Sequence, residues 1–206
     1  LYHFEELGMQ DSSKMRRVRK ALNDCIKTGR KCVVFSPLRP GLDLLAEQYI
    51  EYGVPYNGDM NRAQKMLARM AFADCRSDKE RQEYAKAKKR YNFPFEPGEA
   101  LFMFAVTHNI TARGMNLHKM CSFAIHLTVS SSARAMTQAY GRIVRIGQKE
   151  DTETWYMLSN SEAEHMWYQM VVGKQDQGRA LLKGANDVSR QQYKQVASET
   201  SSLVAD

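Results

Sequence analysis

The stretch Gln138-Ala139-Tyr140-Gly141-Arg142-Ile143-Val144-Arg145-Ile146-Gly147-Gln148 decides how this chain is read. It sets two arginines three positions apart, and residues three apart on a helix share a face. A guanidinium is a planar fork that stays charged and bonds oxygens in pairs. Two of them on one face, beside a glycine that permits close approach, suit a polyphosphate. The plainer alternative is a basic helix face turned to solvent. Two glycines, two glutamines and the order of all six residues weigh against it.

Strand and helix patterns alternate outward from this stretch. Residues 12–29 space Met15, Val18, Leu22 and Ile26 as a helix does, with Gly29 as its stop. Residues 31–36 form a short apolar run before Pro37, as expected of a buried parallel strand. Helices are expected over 41–52 and 61–72, the latter capped by Asn61, with a short strand at 54–57 between them. Strands are expected at 101–106, 121–129 and 152–158, and the helix carrying Arg142 and Arg145 falls between the last two. Residues 162–172 and 176–182 read as closing helices. The alternation implies an α/β fold with a mostly parallel sheet flanked by helices, and ligand loops at the carboxyl ends of the strands.

Two segments stand apart. Residues 74–99 hold a charged block, 76–90, which reads as a solvated helix, and then a turn-rich return, Phe93-Pro94-Phe95-Glu96-Pro97-Gly98. Residues 189–206 form a polar tail rich in Ser, Gln and Thr, expected to be weakly structured by itself. No internal repeat is present.

The 206 residues are enough for one domain with a full core. With 43% hydrophobic and 26% charged residues the composition is ordinary for a globular chain, and no apolar run reaches membrane-span length. Thirty Lys and Arg against 23 Asp and Glu leave +7, which is compatible with a polyanionic partner. Cys25, Cys32, Cys75 and Cys121 lie far apart with no Cys-x-x-Cys pair, so reduced thiols in an intracellular protein are expected. His118 and Cys121 imitate half of a metal site, but no second pair stands at matching spacing. The chain starts at Leu1 with no signal-peptide pattern, as a fragment of something longer would.

The run from Gln138 to Gln148 resembles motif VI of superfamily-two helicases, and its ending Arg-Ile-Gly-Gln resembles the SWI/SNF-like ATPases that remodel chromatin. The resemblance implies the second RecA-like lobe of such a motor, a three-layer α/β fold. It also implies that Arg142 and Arg145 act as catalytic arginine fingers, reaching ATP and Mg2+ held by the first RecA-like lobe of the same protein. Duplex DNA, free or nucleosomal, would be the other partner, and the location nuclear.

Further segments carry the resemblance. Lys31 to Ser36 is similar to motif IV, which implies that Ser36 contacts the DNA backbone; a strand-ending turn before Pro37 is the alternative. Tyr56-Asn57-Gly58-Asp59-Met60 resembles the next signature, with Gly58 open to a phosphate or simply a turn glycine. Phe72 stands where the family places a core aromatic. Thr107 to Leu117 occupies the place of motif V. There Thr107 would touch DNA, while Gly114 and Asn116 would shape the ATP side of the cleft together with Gln138 and Gly141. Two departures stand out. Thr111-Ala112 replaces the usual pair of glycines, and Thr128 to Ala133 replaces an acidic residue followed by Trp-Asn-Pro. The insertion 74–99 is longer than the usual connection, and its mixed charges favour a solvated face over a phosphate surface. The expected layout is a lead-in at 1–12, the lobe at 13–160, closing helices at 161–188 and the tail at 189–206.

The sequence holds no Gly-x-x-x-x-Gly-Lys-Ser/Thr phosphate loop and no Asp-Glu-x-His pattern. Half an active site is therefore expected, with no ATPase activity in these residues alone. The alternatives are a degenerate lobe used as a nucleic-acid-binding or scaffold module, and a lobe of an RNA-directed helicase.

Overall fold

Apolar alternation along the strands builds two cores, one on each side of a sheet. The computed structural model describes residues 12–111, 115–159, 162 and 164–173. Five strands, β1 (Cys32–Ser36), β2 (Gly53–Tyr56), β3 (Phe102–Val106), β4 (Phe123–His126) and β5 (Glu153–Tyr156), pair in the order β2-β3-β1-β4-β5. Every pairing is parallel, with Val33 opposite Met103 and Ala124, and Phe35 opposite Ala105 and His126. Successive strand residues point to opposite faces. Cys32, Val34, Phe102, Phe104 and Ile125 therefore enter one core, while Val33, Phe35, Met103, Ala105 and Ala124 enter the other.

Helices α1 (Ser13–Thr28) and α2 (Pro40–Gln48) cover the first face with Met15, Val18, Leu22, Leu42 and Leu45. Ser12 caps α1 by accepting from the Met15 amide, and Gly29 ends it in the left-handed region at φ 67°. Pro40 opens α2 at a position where a missing N–H costs nothing. α2 stops at Gln48, short of the expected Tyr52. Helix α3 (Arg62–Ala73) covers the second face with Ala68, Ala71 and Phe72, the last fully buried as expected. Its capping box joins Asn61 and Gln64 reciprocally. Lys31 Nζ donates to the Phe72 and Gly98 carbonyls, both at 2.6 Å, and so ties the end of α3 to β1.

The charged block forms α4 (Asp78–Tyr91), which is solvated except for one anchor: Tyr84 is buried and donates to the Phe95 carbonyl at 2.9 Å. Amides of Gly98 and Ala100 return to carbonyls of Met70 and Ala71, so the insertion is stapled back onto α3. Short helix α5 (Thr107–Thr111) follows β3, and α6 (Ala133–Tyr140) follows β4. β4 and β5 are shorter than the sequence suggests. Residues 164–173 are helical, in line with the first closing helix; the second one expected, 176–182, and the tail lie outside the described residues. The four cysteines are free and buried, and no described helix is long and apolar enough to cross a membrane.

β2 is an edge strand, which is why Pro55 is tolerated in it. Its first residue, Gly53, has no such latitude. A Cβ there would lie 2.6 Å from Cε2 of Phe104 and 2.9 Å from Cβ of Phe102. Both phenylalanines are fully packed. Gly53→Ala should therefore destabilise the chain by about 1–3 kcal/mol, as overpacking does. A thermal melt should show the midpoint falling by about 2–4 °C for each kcal/mol. An unchanged midpoint would mean that the edge strand shifts freely.

Candidate functional site: a junction of two segments past β3 and β4

Ser132 caps helix α6, its hydroxyl accepting from the Ala135 amide, and the helix buries Ala135, Met136 and Ala139. It ends at Tyr140, and Gly141 is its cap. Arg142 and Arg145 are therefore not on a helix and do not share a helical face, contrary to the expectation. Beyond Gly141 the backbone tightens into turns: Arg142 N bonds Ala139 O at 3.1 Å, Ile143 N bonds Tyr140 O at 3.0 Å, and Gln148 N bonds Arg145 O at 3.0 Å. Two features force the change. Ile143 is pulled into the core, and Gly147 turns the chain at φ 96°. The turns separate the two arginines in character, leaving Arg142 half-buried and Arg145 exposed.

What replaces the shared face is a junction between distant segments. Arg145 Nη1 donates to Asn116 Oδ1. One layer below, the Leu117 amide donates to the Arg142 carbonyl at 3.0 Å. The segment past β3 and the segment past α6 are thus bonded through side chain and backbone. Gln148 locks the turn from beneath, donating to the carbonyls of Cys121 at 3.0 Å and Ile143 at 3.4 Å. Its role in the fold is structural. Gln138 is half-buried, on the last turn of α6. Gly141 leaves room for the α6 backbone, since a Cβ would stand 3.3 Å from the Thr137 carbonyl oxygen. Gly114 lies outside the described residues.

His118 sits beneath this junction, 6% exposed, and a Cβ on Gly147 would meet its Nε2 at 3.7 Å. Burial lowers its pKa, and the charges of Arg145, Lys119 and Arg76 lower it further. The field at this corner is therefore positive, with Arg76 contributing from the insertion. Nothing in the local spacing pointed to that. Cys121 gives its thiol to the carbonyls of Phe123 and Lys31. No group of three or more potential metal ligands occurs among the described residues.

The residues expected on the DNA backbone part company. Ser36 is 1% exposed, and its hydroxyl accepts from the Leu38 amide at 3.1 Å. Thr107 is 0% exposed, and its hydroxyl has no hydrogen-bond partner among the described residues. Both side chains are buried in this arrangement. Gly58 is exposed, with its carbonyl accepting from Lys65 Nζ at 3.0 Å.

No family model matches the chain, and no curated protein matches it. Among solved structures it is similar to one described as the C-terminal part of the Fun30 ATPase domain, at 17% identity and a TM-score of 0.58. The match covers 79% of this chain and 46% of that one, so this chain spans less than half the length of the structure it resembles. At that identity the likeness speaks to architecture: the chain has the fold of a RecA-like α/β lobe, similar to the C-terminal part of the Fun30 ATPase domain.

Proposed function

We propose that this chain is the second motor lobe of an ATP-dependent DNA translocase of the chromatin-remodelling type, acting in the nucleus. The observation that carries the reading is the Arg145–Asn116 bond, which holds an exposed guanidinium at the junction of the two motif-like segments. A guanidinium has five N–H donors, and a neutral amide oxygen occupies one arm here. The remaining donors fit the oxygens of a terminal phosphate presented by a first lobe. ATP would supply the phosphoryl group, and Mg2+ would be held by carboxylates of that first lobe. Arg142, half-buried, would brace the turn and reach the same phosphates from below. Ile146, 99% exposed beside Arg145, is the apolar tip that the first lobe would cover on closure.

The test is ATP turnover by the full-length protein with duplex DNA, single strands and RNA compared. The expected result is stimulation by duplex DNA above the other two, with no turnover from the 206 residues alone. Preference for RNA would move the protein to the RNA-directed helicases. The burial of Ser36 and Thr107 favours one other reading, a degenerate lobe serving as a binding or scaffold module. DNA binding by the full-length protein without any turnover would establish it.

A further inference from the structure

A cleft of about 240 Å3 opens between the outer face of α3 and the segment holding Asn116. Arg62, Lys65 and Arg69 line it from α3, and Arg76 lines it from the turn beyond. Positions 62, 65 and 69 form one stripe at helical spacing. Asp74 is the single acid in the lining, and Arg81 engages it at 3.7 Å. Arg69 is neutralised by Glu80 at 3.3 Å. The side chains of Arg62, Lys65 and Arg76 form no ion pair among the described residues, although the Arg76 amide donates to Glu80 Oε2 at 2.7 Å; Arg62 and Arg76 are exposed. The stripe runs on toward Arg145, whose side chain donates to the neutral Asn116 amide. Cations held together without counter-charge repel one another, which is tolerable where a polyanion is to bind.

We infer that this α3 cleft carries the sugar–phosphate backbone of a nucleic acid. At about 1.5 Å of rise per residue, the distance from Arg62 to Arg69 is about 10 Å. One strand of a duplex rises about 3.4 Å of axis per phosphate and its backbone path between neighbours is about twice that, so a stripe following the strand meets about two of them. Exposed Gly58, bonded to Lys65, marks the near end, where a backbone without a side chain lets a phosphate approach closely. The contacts are to phosphate and so position the strand without reading its sequence. The inference deepens the DNA-binding part of the proposed function and does not depend on turnover.

The experiment measures binding of the full-length protein to a fluorescent duplex across a salt series. The triple variant Arg62→Gln, Lys65→Gln, Arg76→Gln is compared with a charge-matched control, Arg16→Gln, Lys20→Gln, Lys27→Gln, on the exposed face of α1. Gln keeps helix propensity, and melting curves confirm that both variants fold. The α3 triple should weaken binding by about tenfold to a hundredfold and flatten the slope of log affinity against log salt by about 2–3. The control should lose far less. Equal losses in both triples, or none in either, would overturn the inference. So would unchanged DNA binding with a raised KM for ATP, which would assign the cleft to the nucleotide. Steep, stripe-dependent DNA binding by a protein without turnover would remove the motor reading and support this one.

Discussion

Arg145→Ala in the full-length protein is expected to cut duplex-stimulated ATP turnover by about a thousandfold or more, the usual worth of an arginine finger. Duplex binding should stay largely intact, because Arg145 stands at the inner end of the α3 stripe and the other cations remain. Arg145→Lys should not restore turnover, since an ammonium cannot hold Asn116 and a phosphate in one planar fork. Asn116→Ala offers a finer test. Its side chain orients Arg145, so its removal should cost turnover about tenfold through misplacement. Once Arg145 is gone, nothing remains for Asn116 to orient, and the double variant should be no worse than Arg145→Ala alone. Independent, multiplying losses would show that Asn116 acts by some other route. Retained turnover in Arg145→Ala would remove the finger role altogether.

This junction also shows where sequence reading stops. The strands were legible because each is a short apolar run bounded by turn residues, and the alternation of their side chains assigns both cores. The caps at Ser12 and Asn61 and the stop at Gly29 were legible for the same local reason. The end of α6 was not. Arg-x-x-Arg has helical spacing, but Ile143 is drawn into the core and Gly147 takes positive φ, so the last helical bonds give way to turns. The Arg145–Asn116 bond joins residues 29 positions apart, beyond any spacing rule. The buried state of Ser36 and Thr107 depends on what packs over the strand ends, which a motif does not record. The α3 stripe was available as periodicity. Its apolar side, ending in Phe72, drew the reading instead.

Nothing in the sequence pointed to His126, and it should set the loss of stability between pH 7 and pH 5, above the range where Glu80, Glu153 and Glu164, all held below the usual carboxylate range, take up protons. His126 lies on β4 with 0% exposure, between Phe35 on β1 and Tyr156 on β5, which are its register partners. Ring centroids stand 5.1 Å and 4.8 Å away, and the Tyr156 ring is tilted by only 10°. Neither ring nitrogen has a hydrogen-bond partner among the described residues. Burial alone pushes its pKa from the ordinary 6.5 down to about 4. The aromatic faces would welcome an imidazolium by about 1–2 kcal/mol, which is less than the desolvation it faces. The sign follows. As pH falls from 6.5 toward 4, the unfolded chain takes up a proton that the folded chain refuses, so stability falls with pH across that window. At about 1.4 kcal/mol for each pH unit, the loss from His126 is about 2 kcal/mol at pH 5 and about 3 kcal/mol at pH 4, and it levels off below the folded-state value. Urea unfolding at pH 7 and pH 5 reads this directly. His126→Phe should be at least as stable as the parent chain at pH 7, because a buried polar group without partners is replaced by an apolar ring. It should also lose most of the difference between the two pH values. Some dependence will remain from His118, whose pKa is lowered in the same direction. His126→Leu serves as the check should the larger ring fit poorly, since it too removes the titrating group. Equal pH dependence in the parent chain and both variants would mean that His126 finds a partner or takes up its proton in the folded state, and the acid response would then have to lie elsewhere.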